Sequence, residues 1–433
     1  MENKLSYKLQ SILVLIYLAV IPLLYKADPV EFHNQKLVAL YSVIGGIFLL
    51  SVLLGKDFSK KYRLSFKTFK WERRLFTVAI LFMFMSLFNN LLVMQSFVNA
   101  GYISTKVFFG AGPNYLSIFF YWFCILMLTA LIPVWHYLNK GLIKIVTVAS
   151  LSITGLLIAY QVFINDFIGV ARTYLFGFGN SNYTPDPFAL VGLMLIIPLL
   201  FSKKINWIET FVGIFMFVIV LLSLSRAAFM GLFVSVLFTI IYLAVTKKLA
   251  IKRTIILAVA GVAFLATSIF VLSSIGDSGI VNDFKSLLDV LSGDKSFATV
   301  SSLRVDLWKA TIAEMNSKPI IWFLGNGQSV YIWTAETTSY LVTNVHNMYL
   351  DILFSGGIVV FITFITLLVR QFIFALRLVK YDTKNIVLLS GMVFILVKWM
   401  FNSLNAIHSP FIIMVFVLIS YRYMIMKNEE KVD

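Results

Sequence analysis

Apolar residues in this chain arrive in runs of about twenty, the length a helix needs to cross the hydrocarbon core of a bilayer. Twelve such runs can be drawn, over 9–25, 37–54, 75–98, 116–138, 145–164, 187–201, 207–224, 227–245, 254–272, 348–369, 385–401 and 410–426. Of the 433 residues, 60% are hydrophobic and 13% charged, with a mean hydropathy of +0.90. A soluble domain carries about 25% charged residues and has no core large enough to hide so much apolar surface. Lipid is therefore the solvent for most of the chain. The expected fold is an all-α polytopic membrane protein of about twelve transmembrane helices, with a large, partly helical external loop between the ninth and tenth.

The net charge of +16 would point to nucleic acid in a soluble protein. Its distribution points elsewhere. Alternate connections and the two termini hold 25 of the 36 Lys and Arg, eight of them between 55 and 74. That is the positive-inside pattern, and it places both termini in the cytoplasm, with the spans in an inner (plasma) membrane. No nucleic-acid partner is expected. The first apolar run has no small-residue cleavage site before Pro22 and Lys26, so it reads as a retained span rather than a signal peptide. Cys124, the single cysteine, lies inside an apolar run, which leaves no disulfide framework and no thiolate metal site.

Two segments break the regular pattern. Residues 207–245 are almost continuously apolar except at Ser223, Ser225 and Arg226, so that stretch marks a tight hairpin between two spans near the outer surface. Residues 273–347 form a connection far longer than an ordinary loop, a length that usually signals function. Within it Val281 to Leu291 is amphipathic, and Ser301 or Ser302 can cap a helix running to about Asn316, which Pro319 stops from continuing. The chain thus divides into spans one to nine (1–272), an external loop (273–347), and the last three spans with a cytoplasmic tail (348–433).

Several polar residues at that outer boundary need explaining. A guanidinium in the bilayer costs about 2.5–3.5 kcal/mol on insertion scales, so Arg226 is either functional or snorkels to the headgroups from a helix end. Arg304 lies one helical turn before Trp308. With Thr311 they predict a polar-aromatic strip opposite Leu303, Leu307 and Ala310, suited to phosphate or sugar or else simply a solvated face. His346 and Asn347 stand where the chain re-enters the membrane. An imidazole there can act as a base near neutral pH, or the segment can be a helix cap. Asp351, inside the tenth span, needs a partner, with Arg226 or the His346 ring within expected reach. Arg172 precedes the turn-rich Gly177-Phe178-Gly179-Asn180-Ser181-Asn182, whose backbone N–H groups could cradle an oxyanion, as could Gly325-Asn326-Gly327. There is no external Asp-x-Asp, no His/Cys cluster and no P-loop, so no metal and no cofactor is expected and the substrate must bring its own energy.

In this order, Arg172 with Phe178 to Asn182, Ser223-Leu224-Ser225-Arg226, Arg304-Val305-Asp306-Leu307-Trp308, Gly325-Asn326-Gly327 and His346-Asn347-Met348-Tyr349-Leu350 resemble the O-antigen ligase/polymerase family, in its Wzy-type polymerase branch. The resemblance covers roughly 170–360. It implies a GT-C-like membrane-embedded glycosyltransferase that works on the external face without metal, using a polyprenyl-diphosphate-linked oligosaccharide such as an undecaprenyl diphosphate glycan. By that resemblance Arg226 and Arg304 grip the diphosphate, with Arg172 a third contact, and His346 is the general base. Asn347, Asp351, Trp308, Asn180 and Asn182 would support them. Guanidinium groups placed ahead of reaction stabilise a diphosphate as it departs, and attack opposite that leaving group inverts the anomeric centre.

Three readings follow from the resemblance and the topology. The favoured one is polymerisation of repeat units into surface polysaccharide, O-antigen of lipopolysaccharide or capsule, alongside flippase and chain-length regulator proteins. A ligase would pass the same glycan to lipid A–core or protein. A lipid-linked oligosaccharide flippase belongs to another class, and would concentrate charge at mid-membrane and repeat its halves.

Overall fold

A computed structural model describes residues 140–164, 185–202, 206–223, 225–256, 304–325, 331–335, 338–342, 345–401 and 410–429, with short helical pieces within 12–16 and 69–77 and at 259. The predicted spans at 37–54, 75–98 and 116–138, most of those at 9–25 and 254–272, Cys124, and the amphipathic Val281–Leu291 lie outside these residues. Every remaining predicted span is a helix. They are α1 (Lys140–Ile164), α2 (Pro185–Ile196, extended by a 3-10 turn Ile197–Leu200), α3 (Trp207–Leu222) and α4 (Arg226–Val245). The long connection 273–347 supplies α5 (Arg304–Ser317) and α6 (Ile320–Leu324). It also holds an antiparallel hairpin of β1 (Tyr331–Ala335) and β2 (Thr338–Val342), in which Trp333 pairs with Tyr340. Then come α7 (Met348–Tyr381), α8 (Ile386–Trp399) and α9 (Pro410–Glu429). Aromatic and β-branched residues alternate from Tyr331 to Thr334 in β1, which suits a strand better than a further helix.

By length and composition, Gly141–Ala159, Ala227–Val245 and Met348–Tyr381 can each cross a membrane, while Pro185–Leu200 and Trp207–Leu222 are shorter apolar helices. The exposed faces agree. Ile145, Ile153 and Leu156 on α1, Ile208 and Phe211 on α3, Phe233 and Ile241 on α4, and Ile362 and Val369 on α7 all point outward. Water would penalise such contiguous apolar surface, and lipid does not. The protein is a multi-pass membrane protein.

Helix α2 sits at the centre. Its residues from Pro185 to Leu193 are all buried, as a helix apolar on every side requires. With no hydrophobic force between helices in lipid, close packing and polar contacts hold the bundle. The Ser235 hydroxyl of α4 donates to the carbonyl of Ser390 on α8 at 2.6 Å, and Thr239 meets the Ser390 hydroxyl one turn on.

The two ends of the bundle differ. At one end Lys144 pairs with Glu209, the Ala250 N–H donates to the Leu200 carbonyl, Lys248 donates to Thr383, and Arg422 lies 3.9 Å from Asp382. These contacts gather the connections 139–144, 202–206, 246–253 and 370–385, the ones rich in Lys and Arg that the charge count assigns to a common side. At the other end stand the starts of α2, α4 and α7 and the ends of α3 and α8.

Candidate functional site

The polar end is organised around α7. Its N-cap is Asn347, whose side chain accepts from the Leu350 N–H at 3.1 Å, so the cap belongs to Asn347 and not to His346. His346, half-buried, takes φ +54. A left-handed backbone costs a residue with a Cβ about 1–2 kcal/mol, and such strain clusters at functional sites. The turn survives because both flanks are held. Asp351, 1% exposed, accepts from the Val345 N–H at 2.8 Å, and its own N–H donates to the Asn347 carbonyl at 2.8 Å. A backbone N–H is thus one partner of the Asp351 carboxylate. A carboxylate one turn into a helix also meets the positive end of the helix dipole.

Helix α5 docks on this turn. The Trp308 indole N–H donates to the Val345 carbonyl at 3.0 Å, while Leu307, Met315 and Ile321 pack with Val345 and Phe354. Arg304 opens α5 one turn before Trp308 and is partly buried. The expected strip needs one correction. Thr311 is 6% exposed, its hydroxyl donating to the Leu307 carbonyl, so it shares the buried face with Leu307 instead of lying opposite it. Positions four apart fall on one side of a helix, and the docked surface of α5 claims both.

Two glycines set the docking distance. At Gly357 α7 breaks its helical path (φ 74, ψ 179), and Gly325 ends α6 at φ 72, ψ 169. Only glycine adopts either conformation without strain. A Cβ at Gly325 would sit 2.2 Å from the Ser355 carbonyl oxygen, and one at Gly357 would sit 2.2 Å from that of Phe323. Backbone therefore lies directly on backbone. Gly325, read from sequence as a possible oxyanion cradle, serves here to clasp α6 against the kink of α7. The non-helical backbone is tolerated because protein covers it.

Arg226 begins α4 just after the cap Ser225, whose side chain accepts from the Ala228 N–H at 3.4 Å. The helix break at Ser223 to Arg226 is thus where the sequence put it, but the Arg226 side chain lies outside the described residues, as do Arg172, Asn180 and Asn182. Among the described residues no group of three or more His, Cys, Asp or Glu is assembled that could hold a metal ion.

Sequence reading passed over three residues nearby. The Tyr349 hydroxyl donates to the Leu396 carbonyl at 2.9 Å, tying the first turn of α7 to the last turn of α8. Asp186 of α2 and Lys398 of α8 form a fully buried ion pair at the same end. Lys398 was the findable one. A lone ammonium in an apolar span requires an anion, and Asp186 is the only charged residue in α2.

The fold and site define a membrane-embedded helical protein in which helix α5 closes over the start of a broken span. The stretch of residues 211–365 matches the family model described as O-antigen ligase. It contains the Ser223–Arg226 break, Arg304–Trp308, Gly325–Gly327 and His346–Asp351, and leaves out Arg172 to Asn182 as well as Asp186 and Lys398. Neither the curated proteins nor the solved structures give a match.

Proposed function

We propose that this protein polymerises polyprenyl-diphosphate-linked oligosaccharide repeat units into surface polysaccharide on the external face of the bacterial inner membrane. The observation that carries the reading is the Trp308 to Val345 hydrogen bond. It joins the helix that begins with Arg304 to the strained turn that presents His346, inside the residues matched by the O-antigen ligase family. Twelve spans, cytoplasmic termini and a GT-C-like external loop over 273–347 belong to the same reading.

In this mechanism Arg226 and Arg304, aided by Arg172, hold the donor diphosphate. Each charge-assisted hydrogen bond to it contributes about 1.5–3 kcal/mol, and more as the leaving group gains charge. His346 takes the proton of an acceptor hydroxyl on a second lipid-linked repeat unit. That oxygen bonds to the anomeric carbon from the face opposite the diphosphate while the carbon–oxygen bond to phosphate breaks. The products are free polyprenyl diphosphate and a longer glycan with inverted linkage. Asn347 and Asp351 keep the imidazole in place, and Trp308, Asn180 and Asn182 line the glycan's approach. A flippase that delivers the repeat units and a regulator of chain length are the expected neighbours.

A second reading, equally compatible with the family match, makes lipid A–core or a protein the acceptor. The purified protein given only a polyprenyl-diphosphate repeat unit distinguishes the two. Longer lipid-linked glycan with release of polyprenyl diphosphate supports polymerisation. Release that begins only when lipid A–core or acceptor protein is added supports ligation. Intact donor under both conditions overturns glycosyl transfer altogether.

A further inference from the structure

We infer that Asp186 and Lys398 are a positioning pair for His346, an inference that rests on the transfer reading above. Both side chains are 0% exposed, and each is the only charged group of its helix. Stability alone gives little reason to keep them. A well-packed apolar pair is often as stable as a buried ion pair, or more so. The surroundings make the point sharper, because Asp186 Oδ2 and Trp399 Nε1 are both buried with no hydrogen-bond partner among the described residues. What the pair supplies is register. A point contact between two charges fixes how far α8 slides along α2, which greasy side chains do poorly.

That register reaches His346 through a short physical path. The ion pair fixes the last turn of α8 against the start of the central helix α2. In that same turn the Leu396 carbonyl accepts the Tyr349 hydroxyl. Phe364 bridges the two elements a second time, with its ring 6.4 Å from Tyr349 and 5.9 Å from Trp399. Tyr349 lies in the first turn of α7, directly after the cap Asn347 and the strained His346. Sliding α8 by a fraction of a turn would carry Tyr349 with it and move the imidazole.

The test uses the full-length protein with Asp186→Leu and Lys398→Met together, which removes both charges at once. The double variant is expected to accumulate and melt no lower than the parent. Its kcat for glycan transfer is expected to fall at least ten-fold at little change in donor KM. A second readout needs no transfer at all: in a Cys124→Ser background, His346→Cys should be alkylated by a membrane-impermeant maleimide at least three-fold faster once the pair is removed. Tyr349→Phe keeps the ion pair and cuts the path further along. It should lower kcat at least three-fold, and it serves if the double variant fails to accumulate. Parental kcat and parental labelling in the double variant, or parental kcat in Tyr349→Phe, overturn the positioning role while leaving the transfer reading intact. Changed labelling where the parent protein itself transfers no glycan sinks the transfer reading instead.

Discussion

Replacing Gly325 with alanine would place a methyl carbon 2.2 Å from the Ser355 carbonyl oxygen and 2.4 Å from its carbon, in a backbone conformation that alanine avoids. The backbone strain costs about 1–3 kcal/mol and the overpacking a further 1–3 kcal/mol. Because the obstructing atoms belong to a helix backbone, no side-chain rotation relieves them. The cheaper response is for α6 to leave α7, exposing the cluster of Leu307, Met315, Ile321, Val345 and Phe354. A shift of at least about 2 kcal/mol changes the docked-to-undocked ratio about thirty-fold. Met315, 0% exposed, makes a good reporter. With Met315→Cys in a cysteine-free background, alkylation by an impermeant maleimide follows the undocked population and should accelerate about thirty-fold on adding Gly325→Ala. Gly391→Ala is the control: its new Cβ meets Leu190 at 3.4 Å and Val415 at 3.6 Å, ordinary contacts inside a helix. Equal labelling rates with and without Gly325→Ala would refute the clasp.

His346→Gly should relieve the φ of +54 and leave the protein equally or more stable by about 1 kcal/mol, while transfer is lost; thermal melting and donor turnover measure the two effects separately. Arg304→Lys keeps the charge but loses the planar fork, so it should recover little of the activity that Arg304→Ala abolishes, as initial rates of polyprenyl diphosphate release would show. Asn347→Ala removes the cap of α7 at a cost of about 1 kcal/mol, with a larger fall in kcat than in thermal stability. Ser390→Ala, on the α4–α8 contact far from the rim, should cost about 0.6 kcal/mol and leave turnover unchanged.

The helices were legible because crossing a membrane imposes a length and a composition on each one separately. α1, α3 and α4 begin and end within a few residues of the runs marked by hydropathy, and Pro319 stops α5 as its missing N–H demands. The α7 kink was not legible. Its apolar run is unbroken through Gly356 and Gly357, and the reason for the break is the backbone of Phe323 to Gly325 arriving from outside. The site was half legible for a similar reason. Residue type singled out Arg304, Trp308, His346, Asn347 and Asp351, yet their grouping depends on a contact between residues 37 apart. Thr311 was assigned to the wrong face because periodicity reports which residues share a face, and only the docking partner decides which face is buried. The pairing of Asp186 with Lys398, 212 residues apart, has no local signature beyond the oddity of each charge.

From Ile358 to Tyr381 the lower part of α7 is a rod about 36 Å long, whose last twelve residues belong to the Lys- and Arg-rich connection 370–385. Such a rod accommodates thicker or thinner bilayers by changing its tilt. The break at Gly357 divides that rod from the nine residues before it, which are fastened to α5 and α6 instead. A change in the tilt of the rod is therefore taken up first where the helical path is already broken, ahead of the turn that carries His346.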